Sequence, residues 1–214
     1  MNKILENNKV TISGEIVSEF KFNHEIYGER FYLVEVDVPR TSGYVDRLPV
    51  MVSEYLMDAY KDLRGYKVIV KGQYRSYNKH GNNRNCLILS IFALEVEFVD
   101  EPLTGWEGNS ICLEGTICKE PVYRVTPLGR EITDLLIAVN RPYGKSDYIP
   151  CICWGRTAKF ASGLEVGDKC SVKGRVQSRN YTKNYSDGGT EERIAYEVSL
   201  RVVERKKLDE TDLQ

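Results

Sequence analysis

The sequence predicts an all-β protein made of two small five-stranded barrels in tandem, each with one short helix. Three observations carry this. Segments of apolar–polar alternation at period two recur along the whole chain. The same order of strands, helical spacing and further strands returns in the second half. Advancing residue numbers by 101 also lays the first half on the second without a gap from Val10 to Val52. Gly14 then falls on Gly115, Glu19 on Glu120, Gly28 on Gly129, Val38 on Val139, Arg40 on Arg141, Gly43 on Gly144, Asp46 on Asp147 and Pro49 on Pro150. After one inserted residue, Gly72 falls on Gly174, Ser76 on Ser178 and Asn78 on Asn180. Identity and shared hydrophobic phase together make an internal repeat.

Residues 10–17 (VTISGEIV) alternate as a strand does, and Gly14 in its middle marks a sharp bend, as at a barrel corner. Residues 20–27 form a short second strand, Gly28 turns the chain, and residues 31–38 place Val34, Val36 and Val38 on one face. A polar loop at 41–47 leads to an apolar strand at 48–52. Ser53 is positioned to cap a helix in which Leu56, Ala59, Tyr60 and Leu63 recur at helical spacing. Residues 67–74 alternate again, 78–85 (NKHGNNRN) read as a loop, and 86–99 as a long last strand. A single helix between the third and fourth of five barrel strands is the order of the OB fold. Pro102, Gly105 and Gly108 break the pattern, and Trp106 among them reads as an anchor packed between domains. The expected boundaries are a first OB barrel at 1–100, a linker at 101–110, a second OB barrel at 111–205 and a short charged tail at 206–214.

Of the 214 residues, 42% are hydrophobic and the net charge is -1. No apolar run approaches the ~20 residues of a membrane-spanning helix. The polar opening MNKILENNK lacks a signal-peptide core, so a cytoplasmic protein is expected. Six cysteines show no CxxC spacing and only two histidines accompany them, so no metal site is expected. Cysteines inside strands behave as small apolar residues, in keeping with a reducing compartment. No Walker loop, HExxH or GxSxG occurs, so neither an enzyme nor a cofactor is expected.

Residues 140–181 concentrate a different chemistry. Tyr143, Tyr148, Trp154 and Tyr181 are interleaved with Arg141, Arg156, Lys173, Arg175 and Arg179. Nine Lys or Arg against three Asp or Glu lie between Arg141 and Lys183, in a chain that as a whole is nearly neutral. Flat rings beside cations suit unpaired bases on a phosphate backbone. In residues 147–156, Tyr148, Pro150, Ile152 and Trp154 share one face, and Ile149, Cys151 and Cys153 the other. The second set suits a tight interior, which leaves Tyr148 and Trp154 outside. On the residues alone, those two rings fit a subunit interface or a covering loop equally well. Tyr143 and Tyr181, placed in polar loops, fit ordinary exposed tyrosines. The first half has Ser42, Arg47, Ser53 and Lys79 at the four aromatic positions, so its barrel is expected to be mainly architectural.

The stretch NSICLEGTICKEPVYRVTPLGREITDLLIAVNRPYGKSDYIPCICWGR, with SVKGRVQSRNYTKN, resembles the bacterial single-stranded DNA-binding protein family. The resemblance rests on the opening strand around Gly115, the TPLG turn at 126–129, the segment at 137–142 and the third and fourth strands. It implies sequence-independent binding of single-stranded DNA in replication, recombination or repair. Rings at Tyr143, Tyr148, Trp154 and Tyr181 would stack on bases, and Arg141, Arg156, Lys173, Arg175 and Arg179 would line the strand. It implies a homodimer supplying four OB barrels. Family members typically end in a Gly/Pro/Gln-rich linker and an acidic, aromatic tip that recruits enzymes. The sequence ends at Gln214 without one, so recruitment through such a tip is not expected, and an accessory member fits. Two other readings stay open: a tandem-OB protein-interaction scaffold, and an RNA- or primosome-associated OB protein. The scaffold explains the neutral charge but not the aromatic set.

Overall fold

Strands dominate, as the alternating segments require. The computed structural model describes residues 6–80, 85–184 and 189–206. The first half contains β1 (Asn8–Ile16), β2 (Lys21–Ile26), β3 (Glu29–Pro39), β4 (Val45–Ser53), β5 (Lys67–His80) and β6 (Asn85–Val99). The second contains α1 (Gly105–Gly108), β7 (Asn109–Ile117), β8 (Val122–Val125), β9 (Glu131–Asn140), β10 (Ser146–Trp154), α2 (Arg156–Ala161), β11 (Lys169–Asn184) and β12 (Thr190–Arg205).

Five strands close each barrel. β1 pairs with both β3 and β5, β3 with β4, β4 runs parallel to β6, and β6 returns to β5. The second barrel repeats the ring through β7, β9, β10, β12 and β11, with β10 parallel to β12. β2 and β8 are hairpin extensions on β3 and β9. β1 and β7 pair antiparallel, with Asn8 opposite Leu113 and Ile12 opposite Asn109, so one 12-stranded sheet runs through both barrels. Ile12, Val34, Leu48, Ile111, Ile137 and Ile149 belong to one continuous buried core.

Closure depends on two glycines that the repeat aligns. A Cβ on Gly14 would lie 2.2 Å from the Asp37 carbonyl oxygen, and one on Gly115 would lie 2.5 Å from that of Ala138. No side chain fits where β1 crosses β3 or where β7 crosses β9.

Three local expectations change. The first barrel has no helix after Ser53: residues 54–66 are consecutive turns, whereas α2 forms in the second barrel. Asp58 and Asp62 accept hydrogen bonds from the backbone N–H of Tyr60 and Arg64, both at 3.1 Å. Such local side-chain bonds compete with the helical ladder. Meanwhile, Met57 is buried without a helix. Of the expected loop at 78–85, residues 78–80 continue β5 and Asn85 opens β6, while 81–84 lie outside the described residues. Tyr181 lies in β11 rather than in a loop, since the β11–β12 pairing continues to Asn184 opposite Thr190. The tail expected at 206–214 falls, apart from Lys206, outside the described residues. Among the described residues, no helix is long and apolar enough to cross a membrane.

Candidate nucleic-acid interface

Strand β10 divides its side chains much as its alternation requires. Ile149, Cys151 and Cys153 are buried, while Tyr148 is 42% and Trp154 38% exposed; Ile152, on the face of the two rings, is nevertheless buried. Burial pushes the Cys153 thiol up to about 12 and the Cys170 thiol up to about 11, so these cysteines are neutral interior groups. The indole N–H of Trp154 donates to Ser199 Oγ on β12 at 3.3 Å, which fixes the ring at the strand's end.

Trp154 faces a groove of about 940 Å³ that both barrels build. The second barrel contributes Arg130, Trp154, Arg175 and Arg179, and the first contributes Arg40, Tyr44 and Arg47. Their charges are not equally available. Arg47 makes two bonds to the Asp37 carboxylate, at 2.8 and 2.9 Å. Arg179 lies 3.8 Å from Glu197, with its guanidinium 5.8 Å from the centre of the Tyr181 ring. Arg175 donates to the neutral Gln177 Oε1 at 3.1 Å. The Arg130 side chain has no bonded partner among the described residues, although its backbone N–H donates to Thr126 Oγ1 at 3.0 Å. Burial, followed by the neighbouring Arg40 and Arg201, lowers the pKa of Arg175.

The other aligned polar residues have a different task. Asp46 of the first barrel accepts the Ser178 backbone N–H of the second at 2.8 Å and pairs with Arg40, whose Nε lies 2.6 Å from Oδ2. Arg40 Nη2 also donates to the Ser178 carbonyl at 3.5 Å. The second barrel reciprocates. Asp147 accepts the Ser76 backbone N–H at 2.5 Å and pairs with Arg141, which donates to the Ser76 carbonyl at 2.9 Å. The Tyr148 N–H donates to Ser76 Oγ at 2.7 Å. These two clasps, each reaching from one barrel into the other, occupy repeat-related residues. Arg141, expected along a nucleic-acid path, is therefore committed to the inter-barrel contact, because the buried Asp147 carboxylate needs a cation there.

The remaining expected residues divide. Arg175 and Arg179 line the groove with Trp154, and Tyr181 adjoins it through Arg179. Tyr148 stands by the Arg141 clasp and is not part of the groove lining. Arg156 is exposed at the start of α2 and Lys173 is exposed on β11, both outside the lining. Tyr143 falls in a short 3-10 turn, Pro142–Gly144, and its side chain is outside the described residues. Arg130, Arg40 and Tyr44 were absent from the expected set. Arg40 was marked only as a repeat identity with Arg141, and Arg130 and Tyr44 only by their type, since the three converge from separate segments. Among the described residues, no cluster of His, Cys, Asp or Glu is placed to hold a metal ion.

A sequence model of the single-strand binding protein family matches residues 108–205. Through residues 108–205 the chain is thus similar to that family. Relatives include single-stranded DNA-binding protein 3 of Listeria innocua, 37% identical over 83 residues, covering 36% of this chain and 52% of that one. Single-stranded DNA-binding protein A of Bacillus subtilis is 36% identical over 80 residues, covering 34% of this chain and 46% of that one. The chain thus spans about half the length of the relatives it matches. The crystal structure of the wild-type single-stranded DNA binding protein of Thermus aquaticus superposes with a TM-score of 0.69 over 94% of both chains. A deletion variant of that protein gives 0.71 over 98% of both. At 20% identity, these matches extend the shared fold to the first half, beyond the family match.

Proposed function

We propose that this chain binds single-stranded DNA without reading its sequence, with the strand lying in the groove between the barrels. A base stacks on Trp154, phosphates sit at Arg130, Arg175 and Arg179, and the strand leaves along β11 past Tyr181. Arg156 and Lys173 are outer contacts. Tyr143 and Tyr148 belong to a second stretch of strand, wrapped past the Arg141 clasp. The observation that carries this is Trp154 itself: a large ring left 38% exposed in a groove lined by arginines. An incoming phosphate also relieves the cost that burial and two like charges impose on Arg175.

The first barrel is more than architectural in this reading, because Arg40, Tyr44 and Arg47 form the opposite wall. Binding of this kind asks for no bond chemistry, so the protein acts by sequestering DNA in replication, recombination or repair, in the cytoplasm. A homodimer presents four barrels, which light scattering checks. Each stacked base contributes about 1–3 kcal/mol, so Trp154→Ala weakens binding to oligo-dT by about tenfold or more. Unchanged affinity in an anisotropy titration overturns the assignment, and tighter binding to poly-U than to poly-dT redirects it to RNA.

A further inference from the structure

We propose that the DNA strand continues from Trp154 across the seam between the barrels onto Trp106, making the α1 linker a second stacking platform. This rests on the DNA-binding reading above and extends it to a residue expected to be only a buried anchor. A buried anchor tryptophan hides its ring and satisfies its indole N–H. Trp106 does neither: it is 40% exposed, and its N–H has no partner among the described residues.

Its surroundings instead extend the groove. A small cavity of about 30 Å³ lies beside α1, lined by Gly105, Asn109, Arg40, Arg175 and Arg201 among others. Arg40 and Arg175 line both this cavity and the Trp154 groove, so the two spaces adjoin. On β12, Ser199 holds the indole of Trp154, and Arg201, two residues further on, places its guanidinium 5.7 Å from the centre of the Trp106 ring. Ring, cation, cation and ring thus follow one another across the seam. Among the described residues, Arg40 alone of the three arginines is bonded to a carboxylate, that of Asp46. A phosphate bridging Arg175 and Arg201 would carry the backbone from one ring to the other. The Arg201 guanidinium already covers part of Trp106, and a base on the open part completes the stack.

The chain has two tryptophans, so each platform can be observed separately. With Trp154→Phe, Trp106 is the sole tryptophan. Oligo-dT of about 30 nucleotides should quench its emission with the midpoint found by anisotropy of a labelled oligonucleotide. With Trp106→Phe, only Trp154 reports, and its quenching tests the groove reading on its own. Trp106→Ala should weaken binding of the long oligonucleotide about fivefold. An unquenched Trp106 at saturation, or a Trp106→Ala variant with unchanged affinity for the long oligonucleotide, overturns the inference while the groove reading stands. Failure of Trp154 to respond in Trp106→Phe, with no binding by anisotropy, defeats the groove reading instead.

Discussion

Asp147 is 1% exposed and Arg141, its partner, 25%. The carboxylate is removed from water, yet its lone pairs are taken by Arg141 and by the Ser76 backbone of the other barrel. A buried carboxylate so bonded is costly to disturb from one side, because the remaining partners keep their desolvation cost and lose their compensation. Asp147→Ala therefore strips a cation and a backbone N–H of their acceptor at once. We expect a loss of about 3 kcal/mol, the low end for a buried pair because Arg141 retains some water. Urea denaturation checks this, and Asp147→Asn, which still accepts from Ser76, should lose less. An unchanged midpoint for the alanine variant would mean that the clasp contributes nothing. The identities Arg40/Arg141, Asp46/Asp147 and Ser76/Ser178 were visible in the sequence. Their role was not, because a repeat shows that two positions are alike and not that each reaches into the other copy.

At the scale of elements, the barrel depends on β1 bending over β3, which the mid-strand glycine announced. The strand pattern was legible because alternation follows directly from one buried and one exposed face. The first-barrel helix was misread because Leu56, Ala59 and Leu63 have helical spacing, whereas Asp58 and Asp62 turn the backbone locally. Asn8 and Asn109 gave no signal either. Each bonds both backbone groups of its own barrel's fourth closing strand, Asn8 at Tyr74 and Asn109 at Val176, with lengths of 2.8–3.0 Å. The glycine is open to a direct test. In Gly14→Ala the added methyl meets a backbone carbonyl at 2.2 Å, and a carbonyl in a closed ladder has no rotamer by which to withdraw. The expected cost is about 3 kcal/mol, at the upper end for overpacking, read from the shift in thermal midpoint. A variant as stable as the parent would show that β1 can move away from β3 without penalty.

At the scale of the whole molecule, a net charge of -1 offers a polyanion no long-range attraction. Affinity must come from where the cations stand and which of them are already neutralised. Most of the second-barrel half of that pattern was legible, because Trp154, Arg175 and Arg179 lie close together in one repeat, whereas Arg130 enters from the turn before β9. The first-barrel half was not, because Tyr44 and Arg47 enter the groove only through the pairing of β1 with β7 and the two clasps. The balance of paired and unpaired arginines predicts the salt response. On single strands, log affinity falls with log salt by about 0.7 per neutralised phosphate, so Arg130 and Arg175 give about -1.4, and Arg179, only loosely held 3.8 Å from Glu197, brings the slope to about -2 as a phosphate replaces that carboxylate. Participation by Arg156 and Lys173 steepens it to about -3.5. Arg175→Ala should make the slope shallower by about 0.7. Arg47→Ala should leave it nearly unchanged, because Asp37 already neutralises that guanidinium with two hydrogen bonds. The comparison separates local from global electrostatics, since both variants change the net charge equally. Equal effects would mean that only total charge matters and that the groove does not hold the strand.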